Sequence, residues 1–463
     1  MSKQAVAATP KGSGEIQIEH NRRVLEGDRV RPAQTLLRDS FDTTLGLEDI
    51  PKERYYQQAF HELEVEKVWK KTWMVACWGQ DIPRTGDVHV FKLADIGVII
   101  VRQADGSLKG FYNACLHRGR QLVDECSQVA SLRCKYHGWN WSLDGKNTYV
   151  ACREEFPQLT DEKLRLPEVR VAEWNGFVFI ALDPTLPPLP EYLEDVPEQF
   201  KEWDFGGRLY KAAHVEKQVP VNWKLMQEAF IEAYHVPATH PQLINFSGEA
   251  LTRYDTFPGR KHYSRAVNCS GFATNQKLEI MPMSDQMMVD RWVANYMPQY
   301  KDTPLAKVPP GGSAREVMAE VSRDALTKSL KVDLSKWPTG EMLDGIWYNI
   351  FPNFMIWPTL GFPLIYRFRP LGNDPQRSLM DIMIMLPFSG ERPPSAPLVR
   401  QGMEAKLASV LGAVGAILDQ DVDNVEGLMA GVKATARSGF PVSNYQESRI
   451  RHFHRTLDEY IAK

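Results

Sequence analysis

The chain has 463 residues, 43% of them apolar and 24% charged, enough for two or three globular domains with a sizeable core. A formal charge of −3 argues against a nucleic-acid or anionic-membrane partner. There is no basic-then-apolar leader and no apolar run of bilayer length, so a cytoplasmic location is expected; the six cysteines are too few for a disulfide scaffold but suffice for metal ligation.

Residues 1–40 are polar and lack apolar periodicity, which predicts a loosely held arm. From Tyr55 to Trp73 apolar residues recur near the 3.6 spacing, so 41–69 reads as a helical part of a later domain. Short β-branched or aromatic runs follow at 73–78, 88–93, 96–102, 111–113, 139–143 and 176–182, divided by turn chemistry such as Asp144-Gly145. Residues 70–184 therefore read as a small all-β domain, with 183–190 as a Pro-rich linker. Residues 185–463 read as an α+β domain of helices on an antiparallel sheet. Its elements are a helix at 222–240, an irregular stretch at 245–315, strands at 346–351, 354–357, 363–369 and 379–386, and a long helix at about 395–433.

Inside the β domain stand Cys115-Leu-His117 and, sixteen residues on, Cys134-Lys-Tyr-His137. Tetrahedral zinc takes such ligands, but C-x-H is short for a zinc knuckle and fingers group like with like. Two Cys-plus-His pairs suit a [2Fe–2S] centre with two cysteines on one iron and two histidines on the other, the Rieske arrangement. Cys126 has no assigned role, and Cys77, Cys152 and Cys269 read as buried small apolar residues.

His235 and His240 close the 222–240 run, and Glu228 and Glu232 stand seven and three residues before His235, on one face of a helix. A straight helix would splay the two imidazoles, so a bend is needed, and Pro237 offers a cause. Two imidazoles near a carboxylate are a site for a divalent first-row metal.

With C-x-H-x16-C-x2-H followed by N-W-K-x9-Y-H-x4-H, the chain resembles the oxygenase α subunits of Rieske non-haem iron oxygenases, from about Tyr55 to the C-terminus. The resemblance implies a mononuclear Fe(II) held by His235, His240 and an aspartate. Asp421 is that third ligand: it lies on the apolar stripe Met403, Leu407, Val410, Leu411, Val414, Leu418, Val425, Leu428, Met429 and stands five before Glu426, as the family pattern has it, with Glu232 or Asp419 as alternatives. It also implies that Glu232, where most members carry aspartate, bridges a cluster histidine of a neighbouring subunit to the iron-bound histidine. Ala229 stands where many members carry asparagine.

The implied activity is O₂-dependent hydroxylation of an organic substrate, read first as an aromatic or polycyclic ring dioxygenation. The alternatives are removal of O-methyl, N-methyl or quaternary-ammonium methyl groups by a monooxygenase, and an electron carrier without oxygenase activity. No dinucleotide fingerprint is present, so a separate NAD(P)H-dependent reductase, with or without a ferredoxin, is implied. A homotrimer or a multiple of it, with or without a β subunit, follows from the bridge between subunits. Trp347, Tyr348, Phe351, Phe354, Trp357 and Phe362 are candidates for the pocket wall, with core packing the alternative that suits most of them, and Arg367 and Arg369 for a carboxylate anchor or a solvated face.

Overall fold

The β-branched and aromatic runs between 73 and 181 pair into a seven-stranded antiparallel sheet. These coordinates come from a computed structural model that describes residues 13–274 and 283–463. Across the sheet run Trp73–Trp78, Phe177–Ala181, Glu168–Trp174, Leu108–Tyr112, Ile96–Arg102, Asp87–Leu93 and Ser127–Gln128. Three short strands, Leu132–Arg133, Asn140–Trp141 and Asn147–Tyr149, fold over one end and share a core of Trp139, Trp141, Ile99 and Phe111. The Asp144-Gly145 turn needs its glycine: φ is +82°, and a Cβ there would meet the Phe111 ring at 2.5 Å.

The second sheet has eight strands, in the order Arg253–Asp255, Tyr263–Asn268, Gly345–Ile350, Phe354–Ile356, Leu364–Leu371, Asp374–Pro387, Leu209–Val219 and Val399–Gln401. All neighbours are antiparallel except the last pair. The α+β class is as expected. The two sheets are stitched together by Arg367, whose Nη1 donates to the carbonyls of Val75 and Ala76 while Nη2 pairs with Asp381 at 3.0 Å. Arg367 and Arg369 are thus buried, paired cations, Arg369 with Glu216, and neither forms a solvated face.

Four expectations are corrected. Residues 13–40 are no loose arm: Ser13–Gly27 and Gln34–Leu37 are helices, Asn21 and Leu25 are fully buried, and Arg265 donates to the carbonyls of Thr35 and Arg38. The stretch 245–315 holds a hairpin and the helix Asp285–Tyr296, capped by Ser284; its residues 275–282 lie outside those described. The long helix is Ala408–Ala434, with a non-helical Gly412, and the stripe is not continuous, since Met403 lies outside the helix and Val410, Val414 and Leu428 are exposed. The helix expected at 222–240 is two short helices, Trp223–Glu228 and Val236–Thr239. Among the described residues no helix is long and apolar enough to cross a membrane.

Candidate metal centres and the cavity between them

At the tip of the first sheet two loops close in the same way. Cys115 N donates to the Arg120 carbonyl and Gly119 N to that of Cys115; Cys134 N donates to the Trp139 carbonyl and Gly138 N to that of Cys134. Gly119 and Gly138 have φ of +74° and +77°, a conformation that favours glycine. The loops bury Cys115 and Cys134 side by side, and burial first, then Cys134, raises the Cys115 thiol. Thiols so placed become thiolates when a cation draws the protons off. His117 and His137 point outward with their Nδ1 atoms 3.1 Å apart, close enough for both to bind one metal at about 2.1 Å. The His117 ring stacks on buried Trp139 at 5.0 Å. Cys126 stands apart, 3.6 Å from His89 Nδ1, and Cys152 is exposed where burial was expected.

The second set arises where the buried helix Trp223–Glu228 stops. Asn222 caps its start by accepting from Lys224 N at 3.0 Å. Its end owes nothing to Pro237, which sits harmlessly in the first turn of the next helix. Instead Glu232 draws the backbone aside: its Oε2 accepts from the N–H groups of Tyr234 and His235. The single turn Val236–Thr239 then separates His235 from His240 and brings their rings to 5.3 Å. Glu228 points the other way, accepting from Tyr55 at 3.1 Å and facing His454 at 2.8 Å, so it leaves the face expected for it.

Asp421 arrives from the long helix. Its Oδ1 lies 2.9 Å from His240 Nε2 and 3.4 Å from His235 Nε2, and the three side chains are a metal-sized group. Each imidazole is held by its other nitrogen, His235 Nδ1 to Glu232 Oε1 at 2.6 Å and His240 Nδ1 to Gln420 Oε1 at 2.8 Å. Such outer partners orient both Nε2 atoms toward one point. Burial disfavours charge on His235, yet Glu232 and Asp421 outweigh it and raise the ring to about 10. The site therefore calls for a positive charge between its carboxylates, which a divalent cation supplies. Asp419 is occupied elsewhere, accepting from Leu407 N and Ala408 N.

Beyond these three side chains opens a cavity of about 360 Å³. Of the six aromatics, Trp347, Trp357 and Phe362 line it, with Trp347 and Trp357 stacked at 4.6 Å, and Tyr348, Phe351 and Phe354 pack in the core. Trp292, Tyr296, Ser322 and Leu326 complete the wall from helices Asp285–Tyr296 and Ala314–Leu330. Gln420 and these four were not legible in the sequence, since no local pattern ties them to the histidines.

Residues 72–162 match the Rieske [2Fe–2S] domain, and residues 203–463 match the ring hydroxylating alpha subunit (catalytic domain). The chain belongs to the ring-hydroxylating oxygenase α-subunit family. A Rieske [2Fe–2S] cluster and a mononuclear iron are the cofactors this family membership brings, which sets zinc aside. It is 28% identical over 219 residues to the glycine betaine monooxygenase oxygenase subunit of Pseudomonas aeruginosa, covering 47% of this chain and 51% of that one. It is 31% identical over 201 residues to the carnitine monooxygenase oxygenase subunit of Escherichia coli, covering 42% and 52%. The matches thus span about half the length of these curated relatives. A quaternary ammonium Rieske monooxygenase solved with L-carnitine shares the fold with a TM-score of 0.61 at 17% identity, over 91% of this chain and 99% of that one.

Proposed function

We propose that this chain is the oxygenase component of a Rieske monooxygenase that removes methyl groups from nitrogen, with ring dioxygenation as the second reading. The observation that carries an oxygenase over an electron carrier is the convergence of His235, His240 and Asp421 beneath an aromatic cavity. The choice of a methylammonium substrate over an arene is supported by the glycine betaine and carnitine relatives. The aromatic wall is what keeps the ring reading alive.

Cys115, Cys134, His117 and His137 would hold the cluster, and His235, His240 and Asp421 the iron. When bound, these groups supply single electrons and an open face for O₂ activation. The chain's own part is positional. Glu232 holds a proton at His235 Nδ1, and Gln420 does the same at His240 Nδ1, so both rings offer Nε2 inward. The apolar wall keeps bulk water from the reacting methyl group. In the overall reaction a trimethylammonium, O₂, two electrons and two protons give a cationic N-hydroxymethyl product and water; that product loses its hydroxyl proton as the C–N bond breaks, giving a tertiary dimethylamine and formaldehyde. Glu232 is the residue proposed to face a neighbouring subunit's cluster histidine, in a ring of at least three subunits. Electrons would come from a separate NAD(P)H-dependent reductase, with or without a ferredoxin. Incubation with a reductase, NAD(P)H and a panel of methylammonium compounds, aryl methyl ethers and arenes tests this: formaldehyde in step with a dimethylamine supports it, and cis-diols alone overturn it.

A further inference from the structure

Glu249 lies in the cavity wall, on the 3-10 turn Glu249–Leu251, and is 1% exposed. Oε2 accepts from Ser247 Oγ at 2.9 Å and Oε1 from Thr274 Oγ1, so both oxygens act as acceptors, as in a carboxylate. Among the described residues no cation pairs with it. The cavity's other described acids, Glu232 and Asp421, are matched by His235 and His240, whereas Glu249 has no charged match among the described residues. No lysine or arginine stands among the described lining residues. Arg449, buried against Trp347 at 5.4 Å from its ring, donates to Ser264 and to the Ile231 carbonyl and is outside the lining.

Two hydroxyls orient a buried carboxylate but do not neutralise it, and an unpaired buried charge is costly. A cationic ligand in the cavity supplies the missing charge, and the rings of Trp292, Tyr296, Trp357, Phe362 and Tyr366 offer it apolar contact and cation–π attraction. A ligand carboxylate would find no cation in the described wall and would face Glu249. The volume of about 360 Å³ leaves room for an apolar body behind a methylammonium head.

We infer that Glu249 makes this cavity select substrates that carry a methylammonium on an apolar body and no carboxylate. This rests on the N-demethylation reading and narrows it, because betaine and carnitine themselves are carboxylates.

The test compares three ligands on the holoenzyme by calorimetry or tryptophan fluorescence: benzyltrimethylammonium, its uncharged carbon isostere neopentylbenzene, and the 4-carboxylate of benzyltrimethylammonium. The cation is expected to bind at least about tenfold more tightly than either of the others. In Glu249→Gln that preference over neopentylbenzene should fall to within about twofold, with affinity for the neutral isostere retained. Equal binding of cation and isostere by the unmodified protein overturns the inference without needing the variant, as does equal binding of the carboxylate. A preference that survives E249Q overturns the role of Glu249. Formaldehyde release is measured in parallel: demethylation of carboxylated ammonium compounds alone sinks this inference and leaves the demethylase reading standing, whereas diols from arenes with no formaldehyde sink that reading itself.

Discussion

Three aspartates within five residues of one helix have three different fates. Asp419 caps the chain at Leu407 and Ala408, Asp423 is exposed and pairs with Lys406 at 2.6 Å, and only Asp421 meets the histidines. Asp421→Ala and His235→Ala are each expected to lower iron from three to two per chain while the visible spectrum of the cluster persists. Iron and sulfide analysis checks this; three irons retained would remove these residues from the ligand set. Gln420→Ala should weaken iron binding by about 10–100-fold, read by chelator competition, because it frees the His240 ring to turn. Asp421 was legible beforehand because a buried carboxylate on an apolar stripe needs a cation. Gln420 was not, since a glutamine beside a ligand looks like any surface amide until the fold brings His240 to it.

The elements around the cavity depend on a clamp far in sequence from the candidate metal-binding histidines. Arg315 is buried between Asp28 and Asp344, with Nη2 at 2.7 and 2.8 Å from them, and so ties the N-terminal segment to the turn that carries Met342 and Leu343 into the wall. Arg315→Met should cost about 3–5 kcal/mol, since it leaves two buried carboxylates unpaired, and denaturant midpoints would show it. On the same turn burial raises Glu341 from its usual 4.5 to about 7, against the hydrogen bond from Trp203. The folded state therefore holds a proton that the unfolded chain gives up near pH 4.5. Stability should fall as pH rises from about 4.5 to about 7, by roughly 3 kcal/mol, and Glu341→Gln should flatten that limb. Unfolding midpoints measured every half pH unit would decide it. Strand Leu209–Val219 and helix Ser448–Ile461 escaped the sequence reading for one reason. Lys211, Lys217, Arg449, Arg451, His452 and His454 are buried there, and charged residues at core positions break the apolar pattern.

For the whole molecule, the proposed path of electrons crosses between subunits. Oligomers mixed from Asp421→Ala and Cys134→Ala chains are expected to recover turnover that neither parent shows, and no recovery in verified mixed oligomers would place the path within one chain. Much of the proposed metal chemistry is local: Cys115, His117, Cys134, His137, His235 and His240 stand out as candidate ligands within short stretches of chain. What the second centre faces is a matter of packing instead. The cavity wall is assembled from residues scattered between 229 and 421, and whether a side chain there meets a ligand, a core or a counter-charge is set by long-range packing that no local period encodes.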